Sequence, residues 1–208
     1  YGLRHADIPS VFITHQLNIQ SNYFQSTIQN INFKFIKKFD ECWIADSEFN
    51  RLSADLSTIN KPTFPIKFTG LLSRFKKLSK TEETEVLAIV SGPEPQRTLF
   101  ENILFEQLTD SNRKATLVLG KPELNETQQC GNLKVISHLN AESLNQEMSN
   151  ANLVISRSGY STIMDVAILN KKAIFIPTPG QTEQLYLATH FDKQKIAFAE
   201  HQHNFNLE

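Results

Sequence analysis

The feature that most restricts what this chain can fold into is an alternation of short apolar runs with amphipathic stretches. The runs are Val11–Thr14, Cys42–Ala45, Val86–Val90, Thr116–Leu119, Leu133–Ile136, Leu153–Ile155, Ala173–Ile176 and Ile196–Ala199. They are rich in β-branched residues and apolar at consecutive positions, as strands buried on both faces of a parallel sheet are. Between them, Thr98–Leu108 sets Leu99, Phe100, Ile103, Leu104 and Leu108 at three- and four-residue spacings, one helix face. Ser161–Leu169 does the same with Ile163, Val166, Ala167 and Leu169. This alternation predicts right-handed βαβ units and an α/β, Rossmann-like, doubly wound parallel sheet.

A boundary is predicted between Asn60 and Glu85. Pro62, Pro65 and Gly70 punctuate it, and Lys76, Lys77 and Lys80 keep it solvated. The expected division is a first α/β domain over residues 1–68, a hinge over 69–84 and a second domain over 85–208. The first contributes only two or three strands, too few for a self-standing α/β domain, so it reads as truncated. The opening Tyr1-Gly2-Leu3-Arg4, with neither initiator Met nor signal sequence, fits a piece of a longer protein, and Leu207-Glu208 reads as the remnant of an expression tag.

Composition narrows the partners. With 208 residues, 40% of them hydrophobic, there is enough apolar material for a sizeable core. A formal charge of −1 and a pI near 6.7 give no reason to expect nucleic acid. Two cysteines, Cys42 and Cys130, make no disulfide framework and no metal-ligand spacing, which points to a reducing, cytoplasmic setting. No apolar run approaches the ~18 residues of a membrane span. The segment Ile31–Phe39 mixes Phe33, Phe35 and Phe39 with Lys34, Lys37 and Lys38. It admits two readings: a helix burying its rings with lysines outward, or a face resting on a membrane surface.

In an open parallel sheet, ligands bind beyond the carboxyl ends of the strands. After Leu153–Ile155 come Ser156-Arg157-Ser158-Gly159-Tyr160-Ser161-Thr162, at the start of a helix. Gly159 lets a ligand approach the backbone, Ser158, Ser161 and Thr162 offer hydroxyls, and Arg157 adds a positive charge. A helix start favours an anion through its unpaired amides and dipole. Asp165 lies one turn deeper on the face of Ser161, where a carboxylate can accept hydrogen bonds from a ribose. An ordinarily capped helix would carry similar residues. After Ala173–Ile176, Pro177 and Pro179 fix the strand exit, and Gln181, Glu183 and Gln184 offer donors and acceptors to sugar hydroxyls; a Thr182-capped helix is the plainer alternative. The turn Ser91-Gly92-Pro93-Glu94-Pro95 has the position of a phosphate loop, but its prolines remove two N–H donors.

Read together, Ala151–Arg157, Gly159, Ser161-Thr162, Asp165, Ala173–Pro177 and Gln181–Gln184 resemble the C-terminal half of GT-B glycosyltransferases, most closely the MurG-like N-acetylglucosaminyltransferases. Ile8–Gln16 is similar to that family's late N-domain strand, and Phe68–Arg74 to its hinge. The resemblance implies that Ser158, Gly159, Ser161 and Thr162 receive the diphosphate of a UDP-sugar, with UDP-N-acetylglucosamine the expected donor. Asp165 stands where the family has a ribose-binding glutamate, one methylene longer. Gln181, Glu183 and Gln184 would contact the donor sugar, Arg74 would approach the phosphates, and His138 and Leu139 would pass the base. His15 would face the interdomain cleft, or be structural. The family's N-terminal glycine-rich loop has no counterpart in these residues, so no catalytic base is named.

The resemblance calls for no cofactor and no metal, in line with the lack of an aspartate-x-aspartate motif; His201 and His203 read as solvated. It implies sugar transfer to a lipid-linked or glycan acceptor, with peripheral association at the inner face of a membrane. A nucleotide-sugar hydrolase or epimerase of the same fold, and a donor-binding module that needs a separate catalytic chain, are the alternatives. Binding without turnover is expected of this chain by itself.

Overall fold

Among the described residues, the first part of the protein is built of three short strands, one amphipathic helix and a 3-10 turn at Ala54–Ser57. The computed structural model describes residues 8–19, 24–59 and 62–207. The opening Tyr1–Arg4, Asn60 at the expected boundary and the expected tag residue Glu208 lie outside them. The chain divides into two compact units, one ending at Leu72 and the other beginning at Ser73.

In the first unit, β1 (Val11–Thr14), β2 (Glu41–Ile44) and β3 (Ile66–Phe68) form a parallel sheet in that order, with α1 (Gln25–Ile36) between β1 and β2. Leu17, Ile36, Cys42, Ile44 and Phe64 are its buried core. The aromatic–lysine segment resolves largely toward packing. Phe33 meets Phe64 at 5.7 Å, and Phe35 and Phe39 meet Phe12 at 5.7 and 5.3 Å. Lys34, Lys37 and Lys38 face outward, and Ile31 and Phe35 stay exposed. After β2, the fully buried Asp46 accepts backbone N–H bonds from Ser47, Leu52 and Ser53 and a hydroxyl bond from Ser53, which closes the loop onto itself.

The second unit contains β4 (Thr84–Ile89), α2 (Gln96–Asp110), β5 (Ala115–Val118), β6 (Thr127–Cys130) and β7 (Leu133–Ile136). It continues with α3 (Ala141–Asn150), β8 (Ala151–Ser156), α4 (Tyr160–Leu169), β9 (Lys172–Phe175), α5 (Thr182–Lys193) and β10 (Phe198–Ala199). The sheet order is β10-β9-β8-β4-β5-β7-β6. Strand order therefore reverses between β4 and β8, the topological switch point of a doubly wound sheet. All pairings are parallel except β6 with β7, so the parallel sheet expected from the sequence carries one antiparallel edge. That strand, Thr-Gln-Gln-Cys, has no apolar run because its residues are largely exposed.

Helix α2 buries Phe100, Leu104 and Leu108 against Val86, Ala88, Val90, Leu117 and Ile155. Each of these side chains contributes about 1.5–3 kcal/mol relative to exposure. Leu99, expected on that face, is exposed, and so is Ala167 on α4: local spacing marks a broad stripe, and packing uses only part of it. The last apolar run pairs only over Phe198–Ala199, leaving Ile196 exposed.

Candidate functional site

Five neighbouring strands of the second unit end in one row. Ile136 pairs with Val118, Val118 with Ile89, Ile89 with Ser156 and Ser156 with Phe175. Every loop after these residues emerges at the same sheet edge, around the switch point. Gly120, just after β5, holds the floor of that edge: its φ is +65°, and a Cβ there would sit 2.6 Å from the Val90 carbonyl oxygen. Only glycine fits so close an approach.

The four helices that follow differ at their starts. Glu94 occupies the start of α2, its carboxylate accepting the Thr98 N–H and pairing with Arg97. Hydrogen bonds from Thr98, helped by the Arg97 charge, hold the Glu94 carboxyl below its ordinary value. Asn140 caps α3 by accepting the Ser143 N–H. The first turn of α5 carries Glu183, and its N-cap is Gln181 rather than the expected Thr182. Helix α4 starts at Gly159, which has no side chain to cap with, and its first turn holds no acidic residue. The alternative of an ordinary Ser- or Thr-capped α4 is not what the chain adopts.

Around that start, the sequence-predicted residues take different places. Ser161 is exposed, and Gly159 and Thr162 are half-buried. Asp165 is half-buried, and the Ser73 hydroxyl donates to its Oδ1 while accepting the Phe75 N–H. Burial raises the Asp165 carboxyl above the ordinary aspartate value, opposed by that hydroxyl and by the Arg74 charge. The segment 73–74 and the second turn of α4 are thus brought together, with the Arg74 guanidinium exposed beside the Phe75 ring.

Two expectations are corrected. Ser158 is fully buried and its hydroxyl donates to the Gln184 carbonyl at 2.8 Å, so it braces the loop instead of offering a hydroxyl outward. Arg157 is only 2% exposed. Its guanidinium stacks on Phe100 and donates to carbonyls of Gln96, Ile176 and Pro177 and to the Gln202 side chain, so its charge lies beneath the loop and not on its surface.

Gln184 is also engaged within the chain. Its Oε1 accepts the Thr178 N–H at 2.9 Å and its amide donates to Gln181 at 2.7 Å. Glu183 is half-buried in the same turn. His138, exposed, and Leu139, half-buried, follow β7, three inter-strand steps from β8 or roughly 14 Å. His15 is half-buried in the first unit, after β1. Among the described residues no group of three or more His, Cys, Asp or Glu side chains is placed to hold a metal, and no helix is long and apolar enough to cross a membrane. Sequence reasoning missed Ser73, Gly120 and Gln202. A glycine directly after a strand signals Gly120, but nothing local signals the other two.

Residues 86–208 match the profile of the Glycosyltransferase family 28 C-terminal domain. A curated protein of Sulfurihydrogenibium sp. (strain YO3AOP1) is 29% identical over 100 residues, covering 48% of this chain and 28% of that protein. It is a UDP-N-acetylglucosamine--N-acetylmuramyl-(pentapeptide) pyrophosphoryl-undecaprenol N-acetylglucosamine transferase. Among solved structures, the glycotransferase of kitacinnamycin superimposes with a TM-score of 0.62 at 12% identity, over 96% of this chain and 59% of that one. MurG of Acinetobacter baumannii does so with a TM-score of 0.57 at 15% identity, over 96% and 55%. At these identities the structural likenesses establish the fold, which is the GT-B type that the resemblance implied. The chain spans just over half the length of these structures and about a quarter of the curated relative.

Proposed function

Because the chain belongs to the family of the Glycosyltransferase family 28 C-terminal domain, we propose that its second unit binds the UDP-sugar donor of a glycosyl transfer, with UDP-N-acetylglucosamine as the donor. The observation that carries this reading is the start of α4: a helix N-terminus at the switch point, opened by a glycine, with no side-chain cap and no acidic first turn. In transfer, the nucleotide diphosphate leaves, and its growing negative charge is met by oriented amides that need no rearrangement at the moment of reaction. Gly159, Ser161 and Thr162 are the residues assigned to the diphosphate. Asp165 takes the ribose, with Arg74 approaching the phosphates from the adjoining segment. Gln181, Glu183 and Gln184 border the sugar, and His138 and Leu139 the base. The curated relative's name gives a pyrophosphoryl-undecaprenol acceptor, and we extend that acceptor class to this protein. Peripheral attachment at the inner face of a membrane is our own proposal, following from a lipid-linked acceptor. The boundary at residues 69–84 is assigned as the hinge between donor and acceptor sides.

Titration calorimetry tests the assignment. UDP and UDP-N-acetylglucosamine are expected to bind, with TDP and GDP weaker, and Asp165→Ala is expected to lower UDP affinity by about tenfold. Absence of UDP binding overturns the function. Binding that Asp165→Ala leaves unchanged overturns the site.

A further inference from the structure

The buried guanidinium of Arg157 is a charge that donor binding by surface groups does not use. Nη1 donates to the carbonyls of Ile176 at 3.1 Å and Pro177 at 3.4 Å, where β9 gives way to the loop before α5. Nη2 donates to the Gln96 carbonyl at 3.0 Å, in the first turn of α2, and to Gln202 Oε1 at 2.6 Å, in the segment after β10. The Arg157 Cζ lies over the Phe100 ring, 4.0 Å from the ring centre. Gln202, itself buried, reaches on from Nε2 to Gln96 Oε1 at 3.3 Å. One side chain springing from the loop between β8 and α4 therefore ties together the walls contributed by α2, by the β9 exit and by the segment 200–207.

All four acceptors are neutral. Among the described residues no carboxylate pairs with Arg157, and burial alone shifts its pKa, down to about 10, so the charge persists at neutral pH. A buried cation without a counter-ion is costly, and proteins normally pair it or replace it with apolar residues of similar volume. A carboxylate at position 202 would accept from Nη2 in the same way and neutralise the charge. Gln202 provides the geometry of such a partner without its charge. The excess positive charge is thus kept buried at the switch point, on a residue two positions before the N-cap of a helix start that already favours an anion.

We propose that Arg157 is the buried counter-charge and positioning residue of the diphosphate crevice, acting through the groups it braces and through space and not by touching the ligand. This rests on the donor-site reading above. The decisive variant is Gln202→Glu, which hands Arg157 an internal carboxylate at nearly the same size and keeps the acceptor for Nη2, while giving up the Nε2 donation to Gln96. Its UDP affinity is expected to fall about tenfold or more while uridine affinity changes less than about twofold, with the thermal midpoint held or raised. Arg157→Met is expected to lose the same preference for UDP over uridine together with stability. Arg157→Lys, which keeps the charge but not the fork, is expected to keep most of the preference and lose stability. A Gln202→Glu protein that binds UDP and uridine in the wild-type ratio overturns the proposal, even where Arg157→Met does not fold. If the wild type binds UDP no better than uridine, the diphosphate reading itself fails. If it discriminates and Gln202→Glu discriminates equally, only the role of Arg157 falls.

Discussion

Helices α2 and α4 begin at the same level of the same sheet, after the adjacent strands β4 and β8, with Ile89 and Ser156 in register, yet their starts are chemically opposite. The start of α2 is closed by its own chain: Pro95 is the N-cap, and the Glu94 carboxylate accepts the Thr98 N–H. The start of α4 is opened by Gly159 and closed by nothing the chain supplies from a side chain. Both ends carry the same partial positive charge, since that belongs to the backbone and not to the sequence. One end is neutralised for stability and the other is left for a ligand. A binding site can therefore be made by withholding a cap as much as by adding contacts.

The largest test of that contrast is to make α4 resemble α2. Gly159→Asp places a carboxylate at an N-cap whose φ of −67° suits any residue and whose Cβ would meet nothing within 4 Å. It is expected to stabilise the protein by about 0.5 kcal/mol in a thermal melt. UDP affinity is expected to fall about a hundredfold, from like-charge repulsion and occupied amides. A Gly159→Asp protein that binds UDP as the wild type does would break the comparison.

The next effect is a pH dependence at Asp165. Because burial raises its carboxyl, the ionised form costs stability that is regained as pH falls through the raised folded value. Asp165→Asn is accordingly expected to melt higher than the wild type at neutral pH, with the gap closing in acid. Donor affinity moves the other way. Measured with UDP-N-acetylglucosamine, whose doubly substituted diphosphate does not titrate there, it should weaken about tenfold as pH drops through a midpoint above the ordinary aspartate range, and stay flat and weak in Asp165→Asn. Calorimetry across pH reads both, and a wild-type profile as flat as the variant's would remove Asp165 from the site.

The smallest effect lies at α2. The Glu94 carboxyl is held low, so the support it gives is present above the unfolded value and lost as pH falls through the folded one. Glu94→Gln should lower the melting temperature slightly at neutral pH, with the difference vanishing in acid. A constant difference across pH would show that Glu94 acts at α2 by packing and not by charge.

Much of this was legible along the chain. The strands from β4 to β9, apart from the polar edge strand β6, announce themselves as β-branched runs. The text from Ser156 to Asp165 announces a strand, a tight glycine and a helix. What was misread has a common form. Arg157 and Ser158 are polar residues in a loop after a strand, which locally signals exposure, and both are buried. Gln184, assigned to border the sugar, also meets Thr178 and Gln181 within the chain, a pairing that no local pattern announces. Ser73 carries no signal at all, because its partner Asp165 is 92 residues away.

The sequence by itself determined where strands stop, where helices start and which of those starts received a glycine instead of a cap, because propensity, periodicity and capping act over a few neighbouring residues. Only the tertiary structure decided which polar groups at that edge remain for a ligand. That depends on which of them find internal partners, and the partners arrive from far along the chain: Ile176 lies 19 residues from Arg157, and Gln202 lies 106 residues from Gln96. The opened start of α4 is written in the local text, but the uncompensated buried charge of Arg157 exists only once the sheet has brought four segments together.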